Sequence, residues 1–287
     1  MQLFETLLNG LLHGGLYGLI GLGLSINFGT MRVVHLAHGD LIVLAAYFLV
    51  LTLVPIGIPP LAAAALVIPV MFVVGWALQR FVVGRSLGRG VLPPLIVTFG
   101  ISMVLQNVLL LWATADARTL HTALASAGLR LGPITIATVR VVDFAVGLAC
   151  LGLLLLLLAR TALGRALRAT SDDSSTARLM GIDPRRMYAV AAAIAAATGA
   201  IAGDLLAATS TFYPSTGSET LLVAFEVVVV GGLGSLTGTF LGGIVLAMSQ
   251  FLGARFFGPS YNLVTGHIVV LLVLVFRPQG LLPRTAP

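Results

Sequence analysis

Residues 160–187 read RTALGRALRATSDDSSTARLMGIDPRRM. This arginine-rich loop is the long polar stretch of an otherwise apolar chain, and it lies between a run of leucines and an alanine-rich apolar run. A polar segment between two hydrophobic runs of membrane-spanning length lies in water, and an excess of arginine is typical of cytoplasmic loops. The sequence therefore predicts a membrane protein with this loop on the cytoplasmic side.

Within the arginine-rich loop, the residue order predicts one short helix from Ser171 to Gly181. Ser171 can cap the first turn, where the helix dipole favours the negative charges of Asp172 and Asp173. Arg178 suits the last turn, and Gly181 can adopt the left-handed conformation that ends a helix. A helix of roughly nine residues is not stable alone in water, so it must dock on another surface.

The apolar side chains that this helix offers for docking are Ala177, Leu179 and Met180. They form a compact surface that can pack back onto the protein's own helices or against a partner protein. Loops usually stay short unless something uses them, which favours the partner.

The composition places the whole chain in a membrane. Of its 287 residues, 58% are hydrophobic and 9% are charged, against about 25% charged in an ordinary soluble domain. At about 20 residues per crossing, this length allows roughly eight or nine membrane segments and no separate soluble domain. The arginines behind the net charge of +6 lie between hydrophobic runs, which argues against nucleic-acid binding. We predict one all-α, polytopic transmembrane helical bundle over residues 1–287.

Some of the expected membrane segments are interrupted. Residues 27–40 carry charged side chains, and the run that follows at 41–54 is short. The runs 221–230 and 240–252 are separated by Gly231-Gly232-Leu233-Gly234-Ser235. Backbone breaks at membrane depth are tolerated where protein or a polar cavity replaces the lost hydrogen bonds, so we expect discontinuous or re-entrant helices here.

The first segment, 6–26, carries glycines at spacings of three and four, which predicts that another helix packs closely against it. The remaining expected segments are 41–54, 61–81, 94–112, 141–159, 187–208, 221–230, 240–252 and 262–276.

The distribution of arginine orients the bundle. With the N-terminus outside and the C-terminus in the cytoplasm, twelve of the sixteen basic residues fall on the cytoplasmic side. The other four are Arg118, Arg130, Arg140 and Arg255. The outer loop 113–140 is a candidate contact for a soluble partner.

Polar residues near the interrupted segments are candidates for a functional site. His35, His38 and Asp40 group ligand-type side chains, but no second cluster completes a metal site. Gln106 and Asn107 form a polar pair at membrane depth, which can hydrogen-bond a neighbouring helix or contact a ligand.

Glu226 lies within an apolar run, five residues before the glycine break. A carboxylate in hydrocarbon is costly, so Glu226 is expected to be paired, protonated or directed at a cavity, and an ordinary packing role stays open. No pattern typical of a catalytic triad or a phosphate-binding loop occurs, and Cys150 is the only cysteine. The chain is therefore predicted to be non-catalytic and to need no cofactor or metal.

Several motifs follow the order found in one known family. They are Arg168-Ala169, Asp172-Asp173, Ala177, residues 179–182, Ala37-His38-Gly39, Leu105-Gln106-Asn107, residues 231–235, Gly242-Gly243 and Arg277-Pro278-Gln279-Gly280-Leu281. Together they resemble the permeases of bacterial ABC importers for branched-chain amino acids over nearly the whole chain. This chain departs from the family at His35, where Asn is usual, and at Asp40, where Glu is usual.

The resemblance implies a multi-pass permease of the bacterial inner membrane that translocates branched-chain amino acids or related small amino acids and amides. It also implies four kinds of neighbour: a second homologous permease, two ATP-binding subunits, a periplasmic substrate-binding protein and membrane lipid. The alternative is a secondary transporter or channel driven by an ion gradient. Such a transporter should carry paired intramembrane charges, and this sequence offers scattered acids.

The resemblance also implies that the arginine-rich loop carries a coupling helix that contacts the ATP-binding subunit. The residues implied in coupling are Asp172, Asp173, Ala177, Arg178, Leu179, Met180 and Gly181. Irregular backbone can line a cavity, so we expect the translocation path near the two interrupted regions. The residues assigned to the path are His38, Gly39, Gln106, Asn107, Glu226, Gly231, Gly232, Gly234 and Ser235.

Overall fold

Long α-helices account for most of the chain in the computed structural model, which describes residues 2–120, 122, 127–131 and 134–283. The helices are α1 Gln2–Met31, α2 His38–Phe48, α3 Pro60–Phe81, α4 Leu92–Ala113, α5 Thr138–Arg160, α6 Ala162–Asp172, α7 Ser174–Leu179, α8 Pro184–Thr209, α9 Thr216–Gly231, α10 Leu236–Phe257 and α11 Asn262–Phe276. A π-helical turn, Leu49–Leu53, extends α2, and 3-10 turns occur at Val83–Arg85 and Pro259–Tyr261.

Seven helices of this described part are long and apolar enough to cross a membrane: α1, α3, α4, α5, α8, α10 and α11. The prediction of an all-α polytopic membrane protein is confirmed. Two further helices are shorter, namely α2 with its π-helical turn, His38–Leu53, and α9 with 16 residues. At 1.5 Å per residue each is about 24 Å long, less than a hydrocarbon core of about 30 Å.

α1 lies at the centre of the bundle and packs against α5, α8, α9 and α10. A Cβ atom at Gly10 would lie 2.9 Å from the Cα atom of Met248, and one at Gly14 would lie 2.5 Å from the Cα atom of Ile244. Both distances are too short for a side chain, so α1 and α10 approach as closely as they do because these residues are glycine. The predicted close packing on the glycines of α1 is confirmed.

α8 forms the second buried helix and packs against α1, α2 and α3. Its interior face consists of alanine and glycine, and Ala191, Ala195 and Ala202 are fully buried. A Cβ atom at Gly75 of α3 would lie 2.7 Å from the carbonyl oxygen of Ala192. Small residues on both helices therefore permit close helix packing without large side chains.

The two ends of the bundle differ in composition. One end, the arginine-rich end, carries α6, α7 and the turn between α3 and α4. The opposite end, the hairpin end, carries an antiparallel strand pair, β1 Gly128–Leu131 with β2 Ile134–Ala137, and a bridge between Arg118 and Phe212. The sequence predicts only a loop over 113–140, so the strand pair is a correction. The β-branched residues of 134–136 suit a strand better than a coil.

The arginine-rich loop contains two short helices, and the prediction of one helix from Ser171 to Gly181 is wrong. α6 ends at Asp172 and α7 begins at Ser174. Asp173 between them is extended, with φ −149° and ψ 106°. The chain therefore turns at Asp173 instead of continuing as a helix.

Asp173, and not Ser171, caps α7. The Oδ1 atom of Asp173 accepts hydrogen bonds from the backbone N–H groups of Ser175 at 2.8 Å and Thr176 at 3.2 Å. The hydroxyl group of Ser171 instead donates to the carbonyl oxygen of Gly29 near the end of α1. Because this tertiary contact uses the serine, the aspartate two residues later satisfies the free N–H groups of the helix.

Candidate functional site

The first break in the bundle leaves α2 starting inside the protein. Residues 32–37 are not helical, and α2 begins at His38, which is buried. The Nε2 atom of His38 lies 3.1 Å from the carbonyl oxygen of Ile20. A Cβ atom at Gly23 would lie 2.6 Å from Cε1 of the same ring. The start of α2 is therefore held against the middle of α1.

A polar cluster lies where α2, α4 and α9 meet. The Nε2 atom of Gln106 donates to Asp40 Oδ1 and to Ser218 Oγ, both at 3.0 Å, and lies 3.4 Å from Ser102 Oγ. Asp40 is only 1% exposed, so its carboxyl group depends on these partners. These four residues are called the Gln106 cluster. The expectation that Gln106 hydrogen-bonds neighbouring helices is met at this cluster.

Gly39 allows α2 and α9 to meet at the Gln106 cluster. A Cβ atom at Gly39 would lie 2.6 Å from the backbone nitrogen of Leu221, and one at Gly217 would lie 2.9 Å from the Cα atom of Asp40. Two glycines therefore face each other across this contact. Without them the carboxyl group of Asp40 could not approach α9.

A cavity of about 250 Å³ lies beside the cluster, towards the hairpin end. Gln106 and Asn107 contribute amide groups to its wall, and Leu110, Tyr213 and Pro214 contribute apolar surface. Asn107 bonds its own helix, since its Nδ2 atom donates to the carbonyl oxygen of Met103 of α4 at 2.7 Å. Drug-sized ligands occupy pockets of roughly 300–1,000 Å³, so this cavity suits a smaller solute.

Glu226 lies apart from this cluster and has a partner on α11. One of its carboxyl oxygens contacts the Nδ1 atom of His267. The side chain of Glu226 is 8% exposed, whereas that of His267 is 44% exposed. His267 cannot be identified from sequence, because nothing in the pattern around a lone histidine in an apolar run predicts a contact with Glu226.

The second break, at residues 231–235, is braced by the segment that follows α11. Gly232 has φ +110°, and a Cβ atom there would lie 2.9 Å from the carbonyl oxygen of Leu282. The backbone nitrogen of Leu281 donates to Val230 at 2.8 Å, and that of Leu282 donates to Gly231 at 3.0 Å. The break is therefore a turn held by backbone hydrogen bonds.

Gly234 and Ser235 complete this turn. Gly234 has φ +79° and lies against Gly29 at the end of α1. The hydroxyl oxygen of Ser235 accepts a hydrogen bond from the backbone nitrogen of Gly238 at 3.2 Å and so caps α10. The structure thus divides the predicted path residues into three groups: those at the Gln106 cluster, Glu226 with His267, and the turn at 231–235.

Both ends of α7 are fixed. At its start, the carboxyl group of Asp173 accepts several hydrogen bonds, of which the one from the Ser175 hydroxyl group has the largest effect. Together they hold the pKa of Asp173 well below its usual value. At its end, Gly181 has φ +81°, and the backbone nitrogen of Ile182 donates to Ala177 at 3.0 Å. This pattern is the Schellman ending, so the predicted left-handed role of Gly181 is confirmed.

The two faces of α7 differ in exposure. Ala177 is buried against the bundle, while Leu179 and Met180 are 87% and 79% exposed. Asp172 and Arg178 are also exposed. The helix is therefore anchored through Ala177 and presents an apolar pair to the water.

Comparison with known proteins gives a consistent match. Residues 6–277 match the family described as "Branched-chain amino acid transport system / permease component". The chain is 31% identical, over 98% of its length, to the high-affinity branched-chain amino acid transport system permease protein BraD of Pseudomonas aeruginosa, of which it covers 95%. It is 28% identical, over 99% of its length, to the corresponding protein LivH of Escherichia coli, of which it covers 96%.

Two further matches are partial or structural. The permease protein LivM of Escherichia coli is 39% identical over 133 residues, which cover 45% of this chain and 31% of LivM. The solved structure of PsaBC from Streptococcus pneumoniae in complex with Fab aligns with a TM-score of 0.52 and 13% identity, covering 96% of this chain and 92% of that chain. The likeness to PsaBC concerns the fold alone. Since the family match includes both breaks, the Gln106 cluster and the arginine-rich loop, the chain belongs to the family of branched-chain amino acid transport system permease components.

Proposed function

We propose that this permease subunit forms part of an ATP-driven importer for branched-chain amino acids or related small amino acids and amides. A second homologous permease completes the membrane part, two ATP-binding subunits supply energy, and a periplasmic binding protein delivers the substrate. The names of BraD and LivH, both high-affinity branched-chain amino acid permeases, support this substrate class.

The observation that carries the proposal is the exposed pair Leu179 and Met180 on α7. An apolar surface on a helix fixed at both ends, in a loop rich in charge, indicates a protein contact. We assign this contact to the ATP-binding subunit. Because Asp173 and Gly181 hold the helix rigid, a movement of the ATP-binding subunit can be transmitted through Ala177 to the bundle.

The orientation follows from the arginines. We propose that the arginine-rich end faces the cytoplasm and the hairpin end faces outwards, in a bacterial inner membrane. α1 then begins outside, and the segment after α11 ends in the cytoplasm. The cavity beside the Gln106 cluster opens towards the side from which a binding protein would deliver substrate.

The two short helices give the proposed path. With α2 and α9 added to the seven long helices, the bundle has nine membrane segments, and α2 starts within the membrane. A small amino acid can hydrogen-bond the amides of Gln106 and Asn107 while its aliphatic part contacts Leu110 and Pro214. From there the path continues past His38 and Gly39, and it opens when α2 and α9, which touch in this structure, move apart.

The pair Glu226 and His267 supports a second permease beside α11. Ionisable groups within a membrane are costly when they face lipid, and they usually face protein or a water-filled cavity. Almost half of the His267 side chain is exposed in this chain. We infer that the second permease covers this face.

Replacing both Leu179 and Met180 by Asp tests the coupling role. We expect the variant to insert and bind its partner permease but to lose the ATP-binding subunits, because the charges prevent apolar contact. A matched control, Leu179→Ile with Met180→Leu, should keep the contact. The measurements are co-purification and substrate-stimulated ATP hydrolysis in the reconstituted complex.

Full stimulation in the Asp variant would show that α7 is only a linker. The competing function, a secondary transporter, has its own test. The chain alone in liposomes should take up no amino acid under an ion gradient, and gradient-driven uptake would contradict the ATP-driven proposal.

A further inference from the structure

A second cavity, of about 970 Å³, lies at the arginine-rich end, away from the Gln106 cluster. Its walls come from the end of α1, the turn between α3 and α4, α7 and the start of α8. Six arginines line it, and no acidic residue does: Arg32, Arg80, Arg85, Arg89, Arg178 and Arg185. Guanidinium groups stay charged at any physiological pH, so the cavity concentrates positive charge.

These charges have no counter-charge within the described part of the chain. None of the six arginines forms an ion pair there. An acid, Asp183, lies in an adjoining shallow cleft with Arg80, Arg178 and Arg185. Its carboxyl group is already used, by Arg186 at 3.3 Å and by the backbone nitrogen of Arg185 at 3.0 Å. A cavity of like charges is stabilised by a bound anion.

Gln79 gives an independent indication of a polar ligand. It lies in the wall of the cavity and is only 2% exposed. Neither its Oε1 nor its Nε2 atom has a hydrogen-bond partner among the described residues. Buried amides are nearly always hydrogen-bonded, so Gln79 keeps an unmet hydrogen bond beside the cavity, which a rotation of its side chain would offer to a bound ligand.

The surroundings favour an anion that also carries apolar chains. Phe81 and Val91 line the same cavity and are 53% and 70% exposed. They lie at the ends of α3 and α4, of which only 22% and 17% of the membrane-spanning window is buried in the protein. We take these two largely unpacked helices to face the bilayer, which places the cavity where phosphate headgroups meet the hydrocarbon.

We propose that this cavity binds the phosphate group of an anionic phospholipid, with Arg85, Arg89 and Gln79 among its donors and the acyl chains along Phe81 and Val91. Basic pockets of this kind between transmembrane helices bind anionic headgroups in other proteins. The inference rests on the proposed function only in taking this side of the membrane as cytoplasmic. A lipid bound here would join α3 and α4 to Arg178 of the coupling helix.

The test uses the full-length chain in the assembled complex, purified in a neutral detergent. Phosphatidylglycerol, cardiolipin or phosphatidylcholine is added, and bound lipid is counted by native mass spectrometry alongside thermal unfolding. We expect the two anionic lipids to be retained and to raise the unfolding temperature, and phosphatidylcholine to do neither. The double variant Arg85→Gln with Arg89→Gln should retain at least about tenfold less anionic lipid, because a tenfold loss needs only about 1.4 kcal/mol.

Arg165→Gln is the matched control, because Arg165 is an exposed arginine of α6 outside the cavity. It should retain lipid as the parent does, and Gln79→Leu should weaken retention without removing charge. Equal retention in the double variant and the control would overturn the proposal.

Two further arms separate the sources of the anion. If inorganic phosphate at millimolar concentration stabilises the complex as well as phosphatidylglycerol does, the ligand is a soluble phosphate and the lipid proposal fails. If the permease pair purified without its ATP-binding subunits retains anionic lipid and the assembled complex does not, the cavity is a protein-docking surface and the proposal also fails. Lipid retention is measured without transport, so retained lipid with no amino-acid uptake would contradict the proposed function alone.

Discussion

The chain interrupts its helices at 32–37 and at 231–235, and the two breaks lead to different structures. After the first break, α2 starts inside the bundle and carries Asp40 into the Gln106 cluster. After the second break, α10 starts at the end of the bundle, where Leu281 and Leu282 pair with the turn. The first break places polar groups at membrane depth, whereas the second satisfies its own backbone.

This difference shows that a run of glycines is a weaker indication of a site than the residues that follow a break. The motif at 231–235 has more glycine, but its glycines meet backbone atoms, of α10 at Gly231, of the C-terminal segment at Gly232 and of α1 at Gly234. The break at 32–37 has no glycine, and it is followed by His38 and Asp40, both nearly fully buried. Of the two breaks, we therefore expect the first to control transport and the second to control stability.

The largest effect is expected at the first break. Gly39→Val should reduce uptake to background, because its side chain collides with the backbone of Leu221 and separates α2 from α9. Gly152→Val on α5 is the control, since nothing lies within 4 Å of a Cβ atom there. Uptake by the reconstituted complex is measured together with subunit assembly. Gly39→Ala should give an intermediate loss, and normal uptake in both Gly39 variants would remove this contact from the path.

A smaller loss is expected from Gln106→Leu, which removes the donor to Asp40 and Ser218. A buried carboxyl group without its partner costs about 1–3 kcal/mol, or roughly ten- to a hundredfold in rate if the cost falls on transport. Asn107→Leu is the comparison, because Asn107 bonds only its own helix among the described residues and lines the same cavity. Kinetics of uptake should show the larger effect at Gln106. Equal effects would mean that the cavity wall, and not the cluster, controls transport.

Gly232→Leu tests whether the second break serves transport or stability. The sequence alone predicts a block of transport there, whereas the packing against Leu282 indicates a loss of stability. Backbone strain at a positive φ costs about 1–3 kcal/mol, and the contact with Leu282 adds to it. Gly258→Leu carries a similar φ, +105°, with nothing within 4 Å, so it reports strain alone. The unfolding temperature should fall further for Gly232→Leu than for the control. Transport measured per folded complex then separates a loss of stability from a block of the path.

The smallest effect is expected at Asp173, where the chain bends between α6 and α7. Hydrogen bonds, above all the one from the Ser175 hydroxyl group, lower the pKa of Asp173 in the folded protein. The stabilisation by this cap is therefore fully present above the unfolded pKa of about 3.9, and it is lost only as the pH falls through the lower folded pKa. Substrate-stimulated ATP hydrolysis should therefore show no decline due to this group between pH 8 and 5. Asp173→Ala should lower stimulation modestly, and Asp173→Asn less, since its side-chain oxygen still accepts. A strong pH dependence that Asp173→Asn abolishes would contradict this assignment.

The limits of the sequence analysis are clear at three residues. The sequence places Asp173 in the first turn of a helix capped by Ser171. In the structure the hydroxyl group of Ser171 donates to Gly29, and Asp173 itself caps α7. Ser218 and His267 carry no local signal, since a serine in a short helix and a single histidine in an apolar run fit many roles. Each became a functional candidate only through the residue that it contacts.

The amino-acid sequence is enough to predict the membrane-embedded helical bundle, the approximate limits of its long helices, the close packing on the glycines of α1 and the left-handed end at Gly181. These features depend on hydropathy and backbone preference, which are properties of neighbouring residues in the chain. The contacts of Gln106 with Asp40, 66 positions away, and with Ser218, 112 positions away, become visible only in the tertiary structure. Such contacts depend on which helix faces pack together, and that is set by the whole bundle at once.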